Sequence, residues 1–152
     1  MFRKAELKDL PNLFRSFKKY LKTSKESQYA KFETDNDVMD YLNFNLANPQ
    51  CLVYVAGEKE VLGFVIIFMV MTPFVNIKNR MWLEILWKDK KYKMRDFSKM
   101  VKTFLCSVCK EMNAKVIQGM VSYGRKDLER FYKALDCEKF GSIYTLNVMK
   151  EA

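Results

Sequence analysis

The run from Arg80 to Val121 gathers the residues best placed to act on a ligand. An apolar stretch, MWLEILW (81–87), leads into a loop without glycine, KDKKYKMR (88–95), and then into a helical pattern from about Asp96. Lys88, Lys90, Lys91, Lys93, Arg95, Lys99 and Lys102 place seven cations around that loop. A helix that begins there leaves its first amides without carbonyl partners. Those amides, with the helix dipole, make an anion site at the carboxyl end of the preceding strand. A solvated basic loop has the same composition, so charge alone does not name the anion. Histidine is absent. That removes the commonest general base and the commonest transition-metal ligand, and leaves acid–base work to Glu, Asp, Tyr, Cys or water.

Four cysteines stand at Cys51, Cys106, Cys109 and Cys137. Cys106 and Cys109 are one helical turn apart with no second pair and no histidine to complete a zinc site. They read as buried, reduced thiols, and no metal is expected. A reducing, cytoplasmic home follows. MFRKAELKDL is too polar for a signal peptide. The apolar run 61–75 is too short for a membrane span and contains Pro73. The excess of 27 Lys and Arg over 18 Asp and Glu favours anionic partners.

These residues must be positioned by the elements around them. Phe97, Met100, Val101, Phe104, Leu105, Val108 and Met112 recur at spacings of three and four, which predicts an amphipathic helix over 96–112. KVIQGMV (115–121) reads as the next strand, so 80–121 forms a crossover between parallel strands. Upstream, Phe2–Ala5 reads as a strand, and Asp9 caps a helix whose first turn holds Pro11 and whose stripe is Leu10, Leu13, Phe14, Phe17 and Leu21. Thr34-Asp35 caps a second helix with Val38, Met39, Leu42 and Leu46, stopped by Pro49. CLVYVA (51–56), a turn at Gly57 and a strand from Val61 make a hairpin, with Gly63 marking a bulge. Strand 80–88 then pairs antiparallel with its predecessor. A third helix carries Leu128, Phe131, Tyr132 and Leu135, and KFGSIYTLNVM (139–149) closes the sheet. The order β-α-α-β-β-β-α-β-α-β predicts a single α/β domain over 1–152, a mixed sheet with helices on both faces.

This order, with FRKAELKDLP at the start, CLVYVAGEKEVLGFVII as a central hairpin and FYKALDCEKF (131–140) near the end, resembles the GCN5-related N-acetyltransferase (GNAT) family. The resemblance implies the GNAT-like acyl-CoA N-acyltransferase fold and transfer of acetyl from acetyl-CoA to a primary amine of a small molecule or peptide. It sets Lys93-Met94-Arg95-Asp96-Phe97-Ser98, with Lys99 beyond, against the loop whose amides hold the coenzyme A pyrophosphate. Lys93 keeps a cation and Ser98 a small residue, while Asp96 replaces a glycine and works against phosphate.

In the same family a backbone amide near Leu86, Trp87 and Lys88 holds the thioester carbonyl. Glu84 then becomes the candidate base, flanked in strict alternation by Trp82 and Leu86. Tyr132 matches the tyrosine that protonates the leaving thiolate, and Arg125 stands where a residue reaching the coenzyme is expected.

Two other readings remain. Asp96 is the sign of a GNAT-like module that binds or assembles without turnover. A nucleic-acid binder could use the basic loop and the basic face 15–25, but Phe97 belongs to the core stripe and no RNA or DNA motif is present. An exposed Trp82 or Trp87 would mark a homodimer face.

Overall fold

CLVYVA shows no alternation of apolar and polar residues, and a strand of that kind has both faces covered. In the computed structural model, which describes residues 1–23, 32–70, 80–114, 116–119 and 126–137, this is β2 (Cys51–Ala56), and all six of its residues are buried. Leu52, Tyr54 and Ala56 face one apolar cluster, while Cys51, Val53 and Val55 face another.

β2 is flanked by β1 (Phe2–Lys4) and β3 (Gly63–Val70), both antiparallel to it. β4 (Arg80–Lys88) continues antiparallel to β3, and β5 (Val116–Gly119) runs parallel to β4, giving the order β1-β2-β3-β4-β5. The expected strand 139–149 lies outside the described residues.

One face of the sheet is covered by α1 (Leu10–Thr23) and α2 (Asp35–Ala47). Leu13, Phe17, Val38 and Leu42 pack there on Val53, Val55, Phe64 and Ile66. Thr34 caps α2 as expected, in a reciprocal pair with Asp37. Asp9 does not cap α1. It sits nearly buried in a 3-10 turn (Leu7–Asp9), accepts from the Glu6 amide at 2.9 Å, and receives both Arg3 guanidinium nitrogens at 2.6 and 2.7 Å. Arg3 holds the Asp9 carboxyl below the usual carboxylate range and ties β1 to the start of α1.

The other face is covered by α3 (Met94–Glu111) and α4 (Lys126–Ala134). Phe97, Val101, Leu105 and Val108 of α3 and Phe131 and Leu135 beside them meet Val65, Ile67, Met81 and Leu83. Asn113 follows α3 with φ of 51°, the left-handed stop its type suits.

Gly63 is not a bulge: it pairs with Ala56 on one side and Lys88 on the other. A Cβ there would stand 3.0 Å from the Phe97 ring and 3.1 Å from the Trp87 carbonyl. The missing side chain therefore lets α3 lie down on the sheet.

Phe97 is the anchor of that contact, 2% exposed, with its ring edge-on to Phe2 at 5.9 Å and to Tyr92 at 5.7 Å. Phe97→Ala is expected to lower unfolding stability by about 3–5 kcal/mol in a urea titration. A loss below about 1 kcal/mol would show that the ring does not carry this interface.

Candidate active site around the β4 bulge

Strict alternation along 80–88 fails at one place. Ile67 pairs with Leu83 and Ile66 with Ile85, so Glu84 is an extra residue without a partner on β3. The bulge reverses the phase of β4. Met81 and Leu83 face α3 and α4, Ile85 and Trp87 face α1 and α2, and Leu86 returns to the first side. Leu86 therefore does not flank Glu84 as the alternation predicted.

The described pairing of β4 with β5 ends beside the same point. Their described register runs from Arg80–Val116 to Leu83–Gly119, and β4 continues for five residues beyond it. The Asp89 amide donates to the Leu62 carbonyl at 2.8 Å, toward β3. By alternation the Trp87 amide also points to β3, while the amides of Leu86 and Lys88 point away from it, toward the side on which β5 lies.

Two candidate residues flank this point on opposite faces of the sheet. Glu84 is exposed and accepts a hydrogen bond from Trp82 Nε1 at 2.8 Å. Its neighbours lie on the α1/α2 side. Burial first, and then the Glu84 charge, push the Tyr41 hydroxyl up to about 12 and the Cys51 thiol up to about 12.

Tyr132 comes from the other side, half-buried against the α3/α4 core. A Cβ on Gly119 would lie 2.6 Å from the Tyr132 hydroxyl oxygen, so that oxygen sits directly over the last described residue of β5. Sequence reasoning passed over Gly119, although a glycine inside an apolar strand is a known sign of close approach. It also passed over Tyr41 and Asn45, which have no such sign.

The basic loop is partly committed to its own shape. Asp89 is buried, accepts from the Lys91 amide at 3.0 Å and from Lys19 Nζ at 3.0 Å, and its carboxyl is held below the usual range, chiefly by that amide. Lys88 Nζ donates to the Tyr92 carbonyl at 2.9 Å, Lys91 pairs with Glu60 at 2.9 Å, and Lys102 pairs with Asp136. Lys90, Lys93, Arg95 and Lys99 enter no ion pair among the described residues.

α3 starts two residues earlier than its spacing suggested. Lys93 is the N-cap and makes no side-chain capping bond, so Asp96 lies inside the first turn rather than at its cap. The Phe97 amide donates to the Lys93 carbonyl at 3.0 Å, and the Ser98 hydroxyl donates to the Met94 carbonyl at 2.8 Å. Phe97, Ser98 and Lys99 thus have their amides inside the helix, past its free first-turn donors. The amides of Met94, Arg95 and Asp96 take part in no bond among the described residues. With Lys93 and Arg95 beside them, they suit a phosphate group, and Asp96 is the opposing charge.

Other expectations need correcting. Trp87 is stacked on Phe64 with ring centroids 5.4 Å apart, and Trp82 is half-buried, so neither forms an exposed apolar face. Cys106 is exposed and Cys109 half-buried, because the α3 stripe spends its buried positions on Leu105 and Val108. Arg125 lies outside the described residues. No group of three or more His, Cys, Asp or Glu among the described residues could hold a metal, and no helix among them is long and apolar enough to cross a membrane.

The fold is that of solved acetyltransferases. A structure described as a probable acetyltransferase superposes with a TM-score of 0.79 at 16% identity, covering 97% of each chain. The aminoglycoside N-acetyltransferase AAC(6')-Iy, in a complex with CoA, superposes with a TM-score of 0.79 at 11% identity, covering 97% of this chain and 93% of its own. A transcriptional regulator from Bacillus halodurans C-125 gives 0.79 at 13% identity, covering 97% of this chain and 98% of its own. No family model matches the sequence. No curated protein matches it either.

Gly119→Ala is expected to cost about 1–2 kcal/mol by forcing the Tyr132 hydroxyl aside, and adding Tyr132→Phe should restore part of that loss in a double-mutant cycle. Strict additivity would place the hydroxyl elsewhere. Asp89 stabilises the loop fully above its unfolded value, and the contribution disappears as pH falls through its lowered folded value. Asp89→Asn should therefore cost about 1–3 kcal/mol at neutral pH, with the gap to wild type closing below about pH 4. A gap that stays constant down to pH 3 would refute this role of the charge.

Proposed function

We propose that this protein is an N-acetyltransferase that moves acetyl from acetyl-CoA to a primary amine of a small molecule or peptide, with both substrates bound together. The observation that carries this reading is the Tyr132 hydroxyl lying over Gly119, which pairs with Leu83, while the unpaired Glu84 follows Leu83 and faces the other side of the sheet.

Acetyl-CoA supplies an acyl group on a good leaving thiolate. The unpaired first-turn amides of Met94, Arg95 and Asp96 would hold the diphosphate, with Lys93, Arg95 and Lys99 offsetting Asp96. The Leu86 or Lys88 amide would hold the acyl oxygen and stabilise charge there as an oxyanion donor does. Glu84, exposed and fixed by the Trp82 indole, would take a proton from the ammonium of the acceptor, directly or through water. Tyr132 would return a proton to the departing sulfur from the opposite face. The histidine-free composition fits this division, since a carboxylate and a phenol cover both transfers.

A second reading, a module of the same fold without turnover, is favoured by Asp96, whose charge lies in the helix turn that would meet the diphosphate. One set of measurements separates the two. Acetyl-CoA at micromolar to millimolar concentration should raise Tm, and an amine panel should release free thiol. Tyr132→Phe should lower kcat by roughly 100-fold while keeping the Tm rise. Without any Tm rise at millimolar acetyl-CoA, the enzyme reading fails.

A further inference from the structure

Cys106 was expected to be a buried, reduced thiol, and the packing of α3 against the end of α4 instead leaves it exposed beside Cys137. Lys102 of α3 pairs with Asp136, just after α4. Cys106 is one turn beyond Lys102 on the same face of α3, and Cys137 follows Asp136 directly, so the ion pair brings both thiols to the same seam. Both are exposed, and neither belongs to the apolar cluster beneath. Cys137 is held in place by its amide, which donates to the Tyr132 carbonyl at 3.0 Å, and Asp136 before it has the fixed left-handed φ of 57°. Burial first, and then Asp136, raise the Cys137 thiol, Lys102 opposes that rise, and Cys106 adds a smaller push in the same direction as Asp136.

We infer that Cys106 and Cys137 form a reversible oxidation site, closing to a disulfide that bolts α4 to α3. The oxidant is a hydroperoxide. One thiolate sulfur attacks the outer peroxide oxygen, the O–O bond breaks, and the departing alkoxide or hydroxide takes a proton, leaving a sulfenic acid. The second thiolate attacks that sulfur, the S–O bond breaks, and water leaves with the remaining proton. The sum is two thiols and one hydroperoxide giving one disulfide, one alcohol or water, and one water. A thiol reductant reverses the bond by exchange.

The consequence follows from where the bolt sits. Cys137 is bonded to the carbonyl of Tyr132, whose hydroxyl lies over Gly119, and α3 carries the unpaired amides at its other end. Oxidation would fix the seam between these two parts. The inference does not depend on the acetyltransferase reading, since it concerns only the two thiols and the helices that bear them.

The full chain would be treated with hydrogen peroxide in steps, blocked with an alkylating agent, digested without reductant and read by mass spectrometry. A Cys106–Cys137 crosslinked peptide should be the major product, lost in Cys106→Ser and in Cys137→Ser and kept in Cys109→Ser. Tm should rise by roughly 5 °C in the oxidised protein and return with reductant, because the crosslink limits the unfolded chain. A Cys106–Cys109 bond, crosslinking only between molecules, or oxidation of each thiol without a bridge would overturn it.

Discussion

β4 carries one residue more than β3 can match, and the two faces of the sheet have to absorb the difference. A side-chain period of two allows no half measure: after an extra residue every following side chain is on the opposite face. Up to Leu83 the inward residues of β4 belong with α3 and α4, and from Ile85 the inward set includes the α1/α2 side. Glu84 stands at the reversal, the one position of β4 with no partner on β3. Bulges bend a strand and increase its local twist. It is immediately before this residue that the described pairing with β5 ends. A carboxylate placed on the floor of a doubly covered sheet would otherwise need to be neutral or paired. At the reversal it is exposed and held by one indole N–H.

The remaining parts hold this point in place. Phe97 fixes the first turn of α3 by sitting against Phe2, Tyr92 and Phe131, and Gly63 gives its ring the room to do so. Asp89 performs the same service for the loop, taking an amide from Lys91 and an ammonium from Lys19 of α1, so that the loop is tied to the far face as well. The unpaired amides at Met94, Arg95 and Asp96 are therefore presented by rigid packing rather than by a flexible glycine loop. A helix start built this way is cheap to anchor because its buried phenylalanine lies one residue past the free donors.

Much of this was readable in the sequence, for a physical reason in each case. Helix stripes at three and four residues, the CLVYVA run and the Gly57 turn are local signals, and the elements they predicted are present. The bulge was not readable, because MWLEILW is apolar on either side of Glu84 and fits both phases equally. The start of α3 was misplaced because its N-cap, Lys93, works through backbone alone, whereas Asp96 has the side chain of a capping residue without the position. Asp9 misled in the same way: its carboxylate is an apt cap, but Arg3 offers a bidentate charged partner that a helix end cannot equal. The helix that carries Tyr132 was legible from its stripe, and the close approach at Gly119 could have been. The neighbourhood of Tyr41, Asn45 and Glu84 could not, since it arises from α2 packing on strands far away in sequence.

The side of the sheet that faces α2 differs from the rest of the interior. Asn45 is 1% exposed, yet its Nδ2 meets no acceptor, and the Nε of Arg80, whose guanidinium lies over the Trp82 ring, is likewise buried and unpaired. An unsatisfied buried donor costs about 1–3 kcal/mol, and most interiors hold few of them. Here one lies a turn from Tyr41 and the other four residues before Glu84, so this cost falls around the bulge and not in the well-packed centre of either cluster. Local rules are broken around this bulge and kept elsewhere. The α3/α4 face obeys them, with aromatic and aliphatic side chains interlocked beneath Tyr132. The α2 face does not, and its unpaired donors, the Tyr41 phenol and the exposed Glu84 carboxylate make it the more polar side of the sheet beside the bulge.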